Sequence, residues 1–160
     1  MGQMTAVVLT VSDRVSRGEA EDASGPAAVA KLAGWGIEAG IEVVPDGLET
    51  VEQALRRYVT TGVELVVTTG GTGFGPRDLT PEATRAVIER PAPGLAEAIR
   101  AATFGTNPHA MLGRGVAGIA ASTLIINLPG SRRAVEEALD VVGPALEHAL
   151  GLMSGRPSTH

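Results

Sequence analysis

The chain contains no cysteine. That excludes thiolate nucleophiles, disulfides, cysteine-ligated zinc and iron–sulfur clusters, and it leaves the redox compartment unread. Basic groups are lopsided, with twelve arginines against a single lysine, Lys31. Lys31 falls in a helix-patterned stretch away from any glycine loop, so a P-loop lysine and a loop-borne Schiff base are both disfavoured. Aromatic residues are limited to Trp35, Tyr58, Phe74 and Phe104. The core must therefore be built from Ala, Val, Leu and Ile, with Trp35 and Phe104 expected as fillers. His109, His148 and His160 show no ligand spacing, and His109 reads as a solvated loop residue. No apolar run approaches the roughly 18 residues of a membrane helix, and residues 1–6 lack the charged start and apolar stretch of a leader. Neither a span nor a signal peptide is expected, and a cytoplasmic location is. A formal net charge of −5 argues against a broad basic surface for nucleic acid.

What is present fits one domain. A chain of 160 residues can bury about two-thirds of its unfolded surface, and no linker or repeat divides it; the expected core spans 5–152, with 153–160 as a frayed tail. Short β-branched runs alternate with helical periods. Strands are expected at 5–11, 37–44, 63–68 and 123–128, the last read as fully apolar. Segment 12–25 reads as a polar loop. Helices are expected from Pro26 to about Ala33, with Ser24 or Gly25 near the cap, then over 49–60, from Thr80 with its hydroxyl as cap, over 94–104, and from Ser131 to about Leu152. Apolar strands alternating with helices predict an α/β fold, a three-layer αβα sandwich on a largely parallel sheet.

In such a sheet ligands bind where strand ends meet helix starts. Ser12 and Asp13 follow the first strand, Asp46 the second, Thr69 to Asp78 the third, and Pro129, Gly130 and Ser131 the last. Four of the five aspartates (13, 22, 46 and 78) lie in these loops. Loops favour aspartate anyway, but carboxylates at strand ends are also a usual way to hold Mg²⁺ beside phosphates. Segment 69–78, TGGTGFGPRD, places four glycines within six residues, followed by Arg77 and Asp78. Two glycines would serve a tight crossover; four, with a helix start behind them, favour anion binding by inward-turned amides. The sequence Gly113-Arg-Gly115-Val-Ala-Gly118 matches G-x-G-x-x-G by letters, but no crossover helix fits before the next strand. It reads as a turn or bulge, with Arg114 at a surface or interface and a substrate contact left open. Ser131 serves equally as helix cap and anion donor.

The segments TVSDRVSRGEAEDASG (10–25), VPDG (44–47), TTGGTGFGPRDLTPEAT (68–84), PGLAEAIR (93–100), LGRGVAGI (112–119) and LIINLPGSRRAV (124–135) together resemble the molybdopterin adenylyltransferases of molybdenum cofactor biosynthesis. These are the MogA/MoaB type, whose fold recurs as a domain of gephyrin. The resemblance implies transfer of AMP from Mg²⁺–ATP to the terminal phosphate of molybdopterin, releasing pyrophosphate. It implies catalytic, metal-holding roles for Asp46 and Asp78. Ser12, Asp13, Thr69, Gly70, Gly71, Thr72, Gly73, Arg77, Pro129, Gly130 and Ser131 would bind substrate and nucleotide. A homotrimer and a molybdenum-inserting partner downstream are also implied. The chain departs from the family pattern where Arg132 and Arg133 follow Ser131, a position where proline often stands. The alternatives are a pterin-binding protein without catalysis and an oligomeric scaffold.

Overall fold

A computed structural model describes residues 5–156. Residues 1–4, where the leader reading began, and 157–160, with His160, lie outside them. The order is β1 (Ala6–Val11), α1 (Asp13–Ser16), α2 (Ser24–Gly34), β2 (Ala39–Val44), α3 (Leu48–Thr61), β3 (Leu65–Thr69), α4 (Thr80–Val87), β4 (Arg90–Pro91), α5 (Pro93–Phe104), a 3₁₀ turn (Pro108–Leu112), β5 (Ala117–Ala120), β6 (Thr123–Leu128) and α6 (Arg132–Met153). One sheet runs β2-β1-β3-β6-β5-β4. The first four strands are parallel and β5 and β4 are antiparallel additions.

Strand alternation sorts side chains into two apolar layers. Val8, Leu65, Val67, Leu124 and Ile126 pack under α2, α5 and α6. Leu9, Val11, Val66 and Ile125 pack under α3 and α4. The connection leaving β1 thus crosses one face of the sheet and the connection leaving β3 crosses the other. Their carboxyl ends, side by side, open a crevice at a topological switch point.

Several expectations change. The polar loop holds the short helix α1, capped by Ser12, whose Oγ accepts from Val15 N at 3.2 Å. Helix α2 starts before Pro26 because Asp22 secures its first turn: Oδ1 accepts from Gly25 N and Oδ2 from Thr10 Oγ1, both at 2.8 Å. Gly34 ends the helix from inside. The Thr80 hydroxyl caps nothing; Thr80 is already helical, and its Oγ1 is the one fully buried side-chain polar atom without a partner among the described residues. Trp35 and Phe104 are 39% and 53% exposed. They are not core fillers, because aliphatic layers close the core without them. Trp35 instead lies across Gly143 on α6, where a Cβ would overlap its indole.

Strand β6 is not wholly apolar. Asn127, buried within it, donates to Thr68 Oγ1 (3.0 Å) and Thr84 Oγ1 (2.9 Å) and accepts from Val116 N (3.1 Å), which ties β6 to β3, α4 and the strand beyond. Asn127→Leu keeps the volume but strands a buried hydroxyl and a backbone N–H, so a loss of roughly 3 kcal/mol is expected. Thermal denaturation should show Tm lower by about 6–12 °C; an unchanged Tm would show that water satisfies these groups instead.

Candidate active site

Two cavities open at the carboxyl edge of the sheet. The first, about 300 Å³, lies at the switch point and is lined by Ser12, Asp46, Thr69, Gly70, Gly71, Asp78 and Gly130 together with Glu21 and Asp22. The second, about 190 Å³ and mainly apolar, lies between α5, the 3₁₀ turn and the start of α6. Thr72 and Pro129 reach this second cavity. Adjacent residues of two loops, Gly71–Thr72 and Pro129–Gly130, therefore form the partition.

Both loops are fixed by close approach. Gly70 and Gly71 have φ of +95° and +67°. A Cβ on Gly70 would overlap the Val11 carbonyl, and one on Gly71 would collide with Thr80 Oγ1 and lie 3.3 Å from Asp46 Oδ1. Thr69 Oγ1 donates to the Pro129 carbonyl at 2.8 Å, and Thr80 N to the Gly71 carbonyl at 3.0 Å.

The carboxylates divide by what already holds them. Asp13 is taken up by Arg77: Nε donates to Oδ2 at 2.7 Å and a terminal nitrogen to Oδ1 at 3.1 Å. The guanidinium so bound holds the Asp13 carboxyl below its ordinary range. Arg77 also donates to the Asp46 carbonyl at 2.8 Å, which makes it a brace between the first two strand ends. Asp46 Oδ2 accepts from Asp13 N at 2.9 Å and Asp78 Oδ2 from Gly75 N at 2.9 Å. Burial pushes the Asp46 carboxyl up; the charges of Asp13 and Asp78 push the same way, against the Asp13 N–H and Arg77. Ser131 Oγ caps α6 through Ala134 N at 3.2 Å. Asp13, Gly73, Arg77 and Ser131 line neither cavity.

Among the described residues no three His, Cys, Asp or Glu side chains group closely enough to hold a metal. Asp46 and Asp78 nevertheless both line the first cavity, and each accepts a backbone N–H through Oδ2. Two hard anionic oxygens that repel each other suit a Mg²⁺ ion completing its shell with phosphate and water oxygens.

Sequence reading counted Asp22 among the loop aspartates without giving it a role, and missed Glu21 in the acidic wall, Asn127 beneath the partition, and Arg100, Asn107 and Glu137 around the apolar cavity. Asp22 carried a signal, since it lies three residues ahead of Gly25 at a helix start. The apolar cavity carried none, because its walls come from three separate elements.

Residues 7–148 match the family model described as "probable molybdopterin binding domain". Gephyrin of Dictyostelium discoideum is 43% identical over 95% of this chain, which spans only 23% of that protein. The molybdopterin adenylyltransferase of Helicobacter pylori strain J99 is 40% identical over 92% of this chain and 86% of its own length. The structure of the molybdopterin biosynthesis enzyme MoaB from Thermus thermophilus superposes with a TM-score of 0.91 at 44% identity, covering 98% of this chain and all of the other.

Proposed function

The chain belongs to the molybdopterin-binding domain family, and from that premise we propose that it is a molybdopterin adenylyltransferase. The observation that carries the reading is the pair of cavities across one glycine partition. One is acidic and edged by Gly70, Gly71 and Gly130, as suits a metal–triphosphate; the other is mainly apolar, as suits a ring system. A terminal phosphate oxygen of molybdopterin attacks the α-phosphorus of ATP. The new P–O bond forms as the bond to the departing pyrophosphate breaks, and the product carries AMP on the pterin phosphate.

The chain supplies placement and charge, not a nucleophile. Asp46 and Asp78 would hold Mg²⁺, which when bound neutralises triphosphate charge. The glycines let amides approach the phosphates without Cβ hindrance, and the carboxyl-edge crevice keeps the two substrates on opposite sides of a rigid wall. The homotrimer and the molybdenum-inserting partner belong to the same reading. Release of pyrophosphate from ATP that requires both the protein and molybdopterin is the first test. Tight pterin binding with no release at any Mg²⁺ concentration would make the chain a carrier.

The raised pKa of Asp46 gives a pH signature. A carboxyl that keeps its proton to higher pH loses its metal-holding charge sooner as pH falls, so the acid limb of kcat/KM should lie above the ordinary aspartate range. Raising Mg²⁺ should move the limb to lower pH, because metal and proton compete. A limb at or below pH ~3.9, the unperturbed aspartate value, would remove Asp46 from this role. Folding also favours protonated Asp46. Its contribution to stability is therefore full below the unfolded pKa and is lost as pH rises through the folded one.

A further inference from the structure

The G-R-G-V-A-G segment supplies no residue to the acidic cavity, yet its arginine makes side-chain hydrogen bonds to three residues beside the partition. Arg114 Nε donates to the Gly73 carbonyl at 2.9 Å, and one terminal nitrogen donates to the Asp78 carbonyl at 2.6 Å. The other terminal nitrogen pairs with Glu82 on α4. Its backbone N donates to the Thr72 carbonyl at 3.0 Å. Its neighbours Gly113 and Gly115 line the apolar cavity. The Glu82 carboxylate holds the guanidinium charged and is itself held below its ordinary pKa by it. One planar fork thus fixes carbonyls at both ends of the 73–78 loop and anchors them to α4, a geometry an ammonium cannot reproduce.

We propose that Arg114 is a positioning residue for the Asp78 carboxylate, setting its place in the acidic cavity from the side of the apolar one. The proposal rests on the adenylyl-transfer reading for what Asp78 does, but not for how Asp78 is held.

The test compares Arg114→Lys and Glu82→Gln with the wild type by three readouts. The first needs no catalysis: exchange of the Gly75 amide, which donates to Asp78 Oδ2, should accelerate at least about tenfold in Arg114→Lys and less in Glu82→Gln. In the second, Mn²⁺ binding in the presence of ATP, followed by electron paramagnetic resonance, should weaken by roughly 10–100-fold, the usual effect of losing an outer-shell support. In the third, kcat should fall while KM for molybdopterin stays within about twofold. All three are measured well below each variant's Tm. Lowered Tm with unchanged Gly75 exchange and Mn²⁺ affinity would overturn the proposal in favour of a merely structural role. Full rescue by lysine would overturn it in favour of a simple positive charge. A wild type that releases no pyrophosphate would sink the function but leave the first two readouts to judge Arg114.

Discussion

Asp78→Asn should lower the rate of molybdopterin-dependent pyrophosphate release roughly 10²–10³-fold, the range seen when one charge-stabilising group is removed from a transition state. The fold should survive the change. Asp78 touches its own loop through Oδ2, which accepts from Gly75 N at 2.9 Å, and an asparagine oxygen can keep that bond. What disappears is the negative charge beside Asp46 in the first cavity. The two deficits separate in one variant: Tm within about 2 °C of wild type, since a substitution this close in shape costs well under 1 kcal/mol, beside a nearly abolished rate. The residual activity carries a further mark. The Asp78 charge helps push Asp46 up, so its removal should move the acid limb to lower pH. A variant turning over at the wild-type rate would show that Asp78 neither holds the metal nor faces the triphosphate.

Gly70→Ala should damage folding and activity together. The residue sits at φ +95° with the Val11 carbonyl where its Cβ would be, and a Cβ on Gly130 would come within 3.3 Å of the Gly70 Cα. The obstacle is therefore backbone from the end of β1, with the Pro129–Gly130 loop close by, and neither can swing aside as a long side chain would. Left-handed strain and overpacking together are expected to cost about 3 kcal/mol or more, a drop in Tm of about 6–12 °C. Because relief requires the partition to shift, the affinity for ATP should fall even at temperatures where the variant is folded. Calorimetric melting and an ATP binding isotherm at low temperature check both parts. Wild-type stability would mean that the crevice is wider than its glycine contacts indicate.

The parallel half of the fold was legible because its strands are apolar on both faces and its helices carry their period in the open. The glycine loop was legible because Gly70, Gly71, Gly73 and Gly75 crowd one short segment behind a strand. Placing Asp46 and Asp78 on one cavity needed only the rule that strand ends share an edge. Other features depended on partners far away in the chain. Asn127 resembles an apolar strand residue until Thr68, Thr84 and Val116 surround it. Asp13 reads as a substrate-binding carboxylate until Arg77, 64 residues on, takes both its oxygens. Trp35 reads as core because indole is apolar, but Gly143 offers it a shelf on α6 instead of a pocket. Arg114 reads as a surface or interface residue with a substrate contact open to it, and its use emerges only when Gly73, Asp78 and Glu82 converge on it.

The central claim is that the acidic and apolar cavities hold two substrates for one displacement at phosphorus. The most direct measurement is to incubate the protein with molybdopterin, Mg²⁺ and ATP labelled at the α-phosphorus, and to follow the label by chromatography and mass spectrometry. The account predicts label on the pterin, joined as AMP through its terminal phosphate, with one pyrophosphate released for each molecule formed. Label remaining in ATP while the pterin stays tightly bound, or appearing only as free AMP, would contradict it.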